Sequence, residues 1–314
     1  MADFLKRGAL YLAPMSGYTD AAFREIAMEN GADVCVSEFV HARAVLSKAP
    51  KVLEKLRIDV LARPCGIQLF GGDEFEMADA ASFVEEYAKP DFIDINYGCP
   101  APNAVDAGAG SALLKNVPKM AEIAKKVKGA LKKIPLTAKM RTGWGAESVL
   151  PRAALELEEA GVEVLAIHGR SKNQGYKGDA DWTLIEETAN CLKIPVIGNG
   201  SAEKLTASEL QESACFGFMV GRAAVGNPWI FREIKAGLNG EGFIPPTAKE
   251  RVETALKYLE KSLQNQGDDS LKAIRANLIA FMRGHGGFKK MRLALANSKT
   301  IEDVYMVFTG FLNG

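Results

Sequence analysis

Apolar positions along the chain gather into eight short runs of strand length. They are "LYLAPM", "ADVCVSEF", "CGIQLF", "FIDINYG", "LTAKMRTG", "VLAIHGR", "PVIGNG" and "FGFMVGRA". A helix-like stretch follows each, and the intervals are on the order of 25 to 30 residues, the size of a βα unit. Strands that alternate with helices predict a parallel sheet. Eight such units closing on themselves make a TIM barrel of about 250 residues. An open doubly wound sheet is the competing architecture. It is disfavoured because no G-x-G-x-x-G follows the first run.

The pattern changes near residue 240. "NGEGFIPPTAKE" is rich in glycine and proline and reads as a hinge. A capping box then opens a helix, with Thr247 three residues ahead of Glu250. Val252, Ala255, Leu256, Leu259 and Leu263 follow at helical spacing. "LKAIRANLIAFM" and "IEDVYMVFTGFL" carry two more amphipathic patterns. The expected organisation is a barrel over residues 1–240 and a small all-α domain over 241–314.

Charge and cysteine content narrow the setting. Among 314 residues, 39 are Lys or Arg and 39 are Asp or Glu, so overall charge selects no partner. The five cysteines, at 35, 65, 99, 191 and 215, show neither CxxC nor metal-ligand spacing. Reduced thiols, a cytoplasmic location and no metal are expected. No stretch reaches the roughly 18 apolar residues of a membrane helix. A monomer without membrane contact is the expectation.

In a TIM barrel the active site lies at the C-terminal strand ends. The first run ends in Pro14, Met15 and Ser16, the third carries Gln68, and the fourth carries Asn96 with Cys99 just beyond. The fifth presents Lys139 and Arg141, the sixth His168 and Arg170, the seventh Asn199 and Gly200, and the eighth Gly221 and Arg222. One such side chain would be ordinary packing. Polar groups at the end of strand after strand point to a shared mouth. Glycines after the seventh and eighth strands suit a phosphate site, since bare backbone can approach an oxyanion and Arg222 adds a fork of donors. Lys139, Gln68 and His168 would then face the body of a phosphate-bearing cofactor. FMN fits, because a cation near N1 of its ring stabilises the reduced, anionic form. Cys99 stands between Gly98 and Pro100, which break regular structure on both sides and put the thiol on a loop.

"LAPMSGYTDAAFR", "INYGCPAPNAVDAGAGSALL", "AKMRTGW", "IHGRS", "IPVIGNGS" and "VGRAAVGNPWIF" occur in this order over residues 10–232. Together they resemble the tRNA-dihydrouridine synthase family, and "IRANLIAFMRGHGG" is similar to its C-terminal module. The resemblance implies a TIM barrel holding FMN, NADPH as reductant, and reduction of the 5,6 double bond of uridine in tRNA. It assigns proton donation at carbon 5 to Cys99. A thiol is mostly protonated at neutral pH and still acidic enough to donate. The resemblance carries flavin contacts onto Pro14, Met15, Ser16, Gln68, Lys139, His168, Asn199, Gly200, Ser201, Gly221 and Arg222. Asn96 would help hold the base, and Arg141 and Arg170 would touch substrate.

Two departures concern RNA. Many relatives carry a basic residue just after the Cys-Pro, where this chain has Asn103-Ala104. A tail helix that often reads Arg-Lys-His is here Arg275-Ala276-Asn277. Yet from Leu271 to Ile301 the chain carries Lys272, Arg275, Arg283, Lys289, Lys290, Arg292 and Lys299, with no Asp or Glu. That one-sided excess is expected to contact RNA phosphates. The alternatives are a flavin barrel that reduces a small molecule, a dihydrouridine synthase of ribosomal RNA, and a binding protein without catalysis. Intact Cys99 and Lys139 disfavour the last.

Overall fold

A computed structural model of the protein describes residues 5–266 and 271–313. Nine strands form one parallel sheet: β1 (Ala9–Leu12), β2 (Val34–Val36), β3 (Val40–His41), β4 (Cys65–Phe70), β5 (Phe92–Tyr97), β6 (Leu136–Arg141), β7 (Val164–His168), β8 (Val196–Asn199) and β9 (Gly217–Val220). β1 pairs with both β2 and β9, and β2 pairs with β4, so the sheet closes on itself. β3 is a two-residue addition beside the end of β4. The other eight are the apolar runs of the sequence, and the result is a (β/α)8 barrel.

The strands read as unbroken apolar runs because both of their faces are buried. Ala9, Tyr11, Val34, Val36, Phe92, Val164, Ala166, Ile197 and Met219 fill the inside of the barrel. Alternate residues such as Leu10, Leu12 and Cys35 pack outward against the surrounding helices. Carboxylates of neighbouring units tie down the loops that enter the strands. Asp33 accepts from the Leu10 amide at 2.9 Å, and Asp91 from the Cys65 amide at 2.7 Å. Glu85 accepts from Lys132 and Lys133, and Glu158 from Lys193 and Ile194. These bonds satisfy loop donors at the end of the barrel remote from the strand C-termini.

The tail is helical: Ala248–Gln266, Leu271–Phe281, Lys289–Asn297 and Ile301–Leu312. The capping box is present, with Thr247 Oγ1 accepting from the Glu250 amide at 3.2 Å. The Lys289–Asn297 helix was not legible in the pattern, since it buries only Met291 and Leu295. The tail packs on the first barrel helix, Ala21–Glu29, through Phe23, Tyr258, Phe281 and Trp229. A polar chain runs through this apolar contact. The Tyr258 hydroxyl donates to Asp20 at 2.6 Å, and Asn277 Nδ2 reaches the Tyr258 oxygen and the Tyr18 carbonyl, each at 2.9 Å. Burial pushes the Asp20 carboxyl up to about 6. Lys257 pairs with Glu29 at 2.6 Å, and Lys261 with Glu25. Main chain of barrel and tail also meets at Gly226, with φ of +67°, where a Cβ would lie 2.2 Å from the Ala280 carbonyl carbon. Among the described residues, no helix is long and apolar enough to cross a membrane.

Candidate active site

Strand register assembles the mouth. Gln68 stands beside Asp94, Asn96 beside Lys139, Arg141 beside His168, and His168 beside Asn199. Above them opens a cavity of about 980 Å³, large enough for a cofactor. Pro14, Met15, Ser16, Asn96, Cys99, Lys139, Arg141, His168, Arg170, Asn199, Gly200, Ser201, Gly221 and Arg222 all line it. Gln68 does not. It is fully buried beneath, with its amide shared between two neighbours.

Gln68 belongs to a buried polar chain that ends at the cysteine loop. Thr137 Oγ1 donates to Asp94 at 2.5 Å, and Gln68 Nε2 donates to the other Asp94 oxygen at 2.6 Å. Asn96 Nδ2 donates to Gln68 Oε1 at 2.7 Å. Asn96 Oδ1 then accepts from the amides of Gly98 and Cys99, at 2.9 and 2.7 Å. The amide of Asn96 is therefore spent largely on shaping the loop. Burial pushes the Asp94 carboxyl up to about 6. Cys99 has 7% of its surface exposed, and its own amide is held by this chain. Burial pushes its thiol above the usual range, against the pull of the Ala101 amide and of Arg141 and Lys139. The thiol is protonated at neutral pH.

Lys139 is half-buried and makes no hydrogen bond or ion pair with a described residue. Burial, with Arg141 nearby, lowers it to about 7. His168 accepts at Nε2 from Arg170 Nη1 at 3.2 Å, because a guanidinium only donates. Its ring proton is therefore on Nδ1. Burial and the surrounding cations hold this imidazole far below its usual range, so it is neutral. Arg170 also donates to the Gly178 carbonyl at 2.9 Å and to Ser201 at 3.2 Å. Arg141 donates to the carbonyls of Gly98, Ser171 and Gly175 at 3.0 to 3.1 Å, tying the cysteine loop to the loop after β7.

Gly200 has φ of +118°, and a Cβ there would sit 2.9 Å from the His168 ring. Only glycine brings this backbone to the cavity wall. Beyond β9, Arg222 and Ala223 open a 3-10 turn, so their amides lack partners within it. Tyr176, on the loop after β7, was not singled out from the sequence. Its half-exposed ring lies 4.0 Å from the Arg222 guanidinium carbon and 5.5 Å from that of Arg141. An irregular loop carries no periodic signal that could have marked it.

The tail cations divide. Arg283 lines the same cavity. Lys272, Lys289 and Lys290 are exposed. Arg275 and Arg292 instead brace the tail, donating to the carbonyls of Ser298 and Met282 at 2.7 and 2.8 Å. Asn277 is fully buried, so its departure from the Arg-Lys-His pattern bears on helix docking.

A parallel barrel with convergent polar groups at its C-terminal mouth defines a (β/α)8 enzyme. Residues 11–306 match the family model described as dihydrouridine synthase (Dus). A probable tRNA-dihydrouridine synthase of Aquifex aeolicus is 34% identical over 95% of this chain and 94% of its own length. The tRNA-dihydrouridine synthase B of Vibrio vulnificus is 36% identical over 82% and 80%. The chain belongs to the dihydrouridine synthase family. Among solved structures, TcOYE with pHBA superposes with a TM-score of 0.58 at 10% identity, over 84% of this chain and 96% of that one. The old yellow enzyme homologue of Zymomonas mobilis gives 0.53 at 11%, over 78% and 94%. At these identities the likeness concerns the barrel alone.

Proposed function

We propose that this protein reduces the 5,6 double bond of a uridine in tRNA to dihydrouridine, in the cytoplasm, with FMN bound in the barrel mouth and NADPH as reductant. The observation that carries the reading is one cavity faced by a protonated Cys99, an unpartnered Lys139, a neutral His168 and a glycine-lined wall beside Arg222. The donor set fits FMN. Lys139 and the Nδ1 proton of His168 suit the polar edge of the ring, with Pro14, Met15, Ser16 and Asn199 around it. Gly200, Ser201, Gly221 and Arg222 suit the phosphate. FMN, when bound and reduced, supplies the hydride for carbon 6.

The chain's own part is protonation and positioning. Charge that develops at carbon 5 needs an acid, and Cys99 holds its proton at Sγ on a loop fixed by Asn96 and Arg141. A uridine inside folded RNA must leave its stack to reach this mouth. Arg283, at the cavity, and the exposed Lys272, Lys289 and Lys290 of residues 241–314 would meet the RNA backbone around it. The test is a nucleoside digest of tRNA from cells lacking the protein, with ribosomal RNA digested in parallel. Dihydrouridine should vanish from defined tRNA positions and persist in ribosomal RNA. Unchanged tRNA would refute the reading.

Two results are expected of variants. Arg222→Ala should weaken FMN binding about 10- to 100-fold, the range for losing a hydrogen bond to a charged group; flavin fluorescence titration reads this. Reversing Lys272, Lys289 and Lys290 to Glu should lower the slope of log affinity for tRNA against log salt by about one per lysine. FMN content should not change. Filter binding across a salt series checks it, and a slope equal to wild type would remove the tail from the RNA interface.

A further inference from the structure

The rim opposite the tail carries a second group of cations that the mouth does not use. Lys115 ends the 3-10 helix Gly110–Lys115, which follows the Cys99 loop. Its ammonium lies 3.7 Å from the centre of the Trp144 ring. Lys172, from the loop after β7, lies 4.1 Å from the same centre. Two backbone bonds hold the Trp144 and Lys172 loops together, Lys172 N–H to the Gly143 carbonyl at 2.8 Å and Asn173 N–H to the Trp144 carbonyl at 3.0 Å.

The two ammoniums thus lie within about one Debye length of each other, ~8 Å at physiological ionic strength. Like charges repel at that range, and the indole attracts each only modestly. Some lysines of the barrel surface answer their neighbours with a carboxylate, as Lys119 does with Glu122, Lys128 with Glu163 and Lys132 with Glu86, while others such as Lys125 and Lys133 stand unpaired among the described residues and apart from one another. Among the described residues neither Lys115 nor Lys172 has an acidic partner. An arrangement that gathers two unpaired cations on one aromatic plate is completed by an anion from outside.

Position identifies the anion. The three residues stand after β5, β6 and β7, at the strand C-termini. The tail docks beside β1 and β9, through the Ala21–Glu29 helix and Gly226. In a closed eight-membered ring, β1 and β9 lie across the mouth from β5 and β6. A polyanion that spans the mouth from the tail meets Lys115 and Lys172 on the far side. We propose that the Lys115–Trp144–Lys172 plate is a second RNA contact, gripping phosphodiesters of the substrate on the rim opposite the helical tail. This rests on the tRNA reading above.

The test is the double variant Lys115→Glu with Lys172→Glu, purified with its FMN. The control is Lys125→Glu with Lys133→Glu, an equal charge change on exposed lysines of the Val117–Ala130 helix and the loop after it. The rim variant should bind substrate tRNA about tenfold more weakly and lose about two units of salt slope. The control should match wild type. Lysine acetylation followed by mass spectrometry should show Lys115 and Lys172 of the wild-type protein protected by tRNA. If wild type binds tRNA and makes dihydrouridine, yet the rim variant binds equally well or both lysines acetylate equally with and without tRNA, the plate is no RNA contact. If the control loses as much as the rim variant, general charge explains the effect and the proposal also fails. Wild type that shows neither salt-dependent tRNA binding nor dihydrouridine would instead overturn the tRNA reading itself.

Discussion

Cys99→Ala is expected to lower single-turnover formation of dihydrouridine in tRNA by about 10²-fold or more, the size typical of removing a positioned acid. FMN content should stay at the wild-type level, because the donors proposed for the flavin are Lys139, His168 and Arg222. Cys99→Ser should also be poor, since a hydroxyl is a far weaker acid than a thiol. Burial raises the thiol above its usual value, so the part of the pH profile that Cys99 sets should decline only on the alkaline side, as the donor proton is lost, while any change near pH 7 would belong to Lys139. The decisive assay mixes enzyme carrying reduced FMN with substrate tRNA and quantifies the product nucleoside. An alanine variant as fast as wild type would remove the thiol from the role and leave Lys139, lowered to about 7, as the cavity group able to donate.

Gly226→Ala is expected to destabilise the protein by about 3 kcal/mol, combining a left-handed backbone penalty of ~1 kcal/mol with overpacking of ~2 kcal/mol. The added methyl would meet the Ala280 carbonyl carbon and oxygen at 2.2 and 2.4 Å, and main chain on both sides has little room to yield. The loss should be local first. Amides of the Leu271–Phe281 helix should exchange faster than those of β5 and β6, because the contact that suffers is the one between tail and barrel. Hydrogen exchange with mass spectrometry, alongside a thermal melt, resolves this. A variant with wild-type melting and wild-type protection of that helix would show that the approach at Gly226 is slacker than its geometry states.

The barrel was legible because its strands are buried on both faces and so read as continuous apolar runs. β3 was not, being two residues long. The thiol loop was legible from Gly98 and Pro100, and the glycines at 200 and 221 from their place after the last two strands. What sequence spacing does not convey is where an amide side chain spends its hydrogen bonds. Asn96 reads as a base contact, yet its oxygen holds the Gly98 and Cys99 amides. Gln68 is a polar residue in an apolar strand like the others, and only the three-dimensional pairing with Asp94 and Asn96 puts it under the floor. Charge counting found the cationic tail without separating Arg275 and Arg292, which brace backbone carbonyls, from lysines that face solvent. The Lys115–Trp144–Lys172 plate joins positions far apart in the chain, so no local pattern announces it.

The buried junction of Asp20, Tyr258, Asn277 and the Tyr18 carbonyl has a consequence for inheritance. Tyr18 and Asp20 belong to the segment that follows Pro14, Met15 and Ser16 at the cavity wall, while Tyr258 and Asn277 come from the tail. A lineage that acquired a new tail by recombination would bring foreign residues against Asp20, leaving a buried carboxyl without its hydroxyl donor. A tail joined to this barrel therefore needs residues that match Asp20 and the Tyr18 carbonyl, and a change on one side of the junction calls for a compensating change on the other.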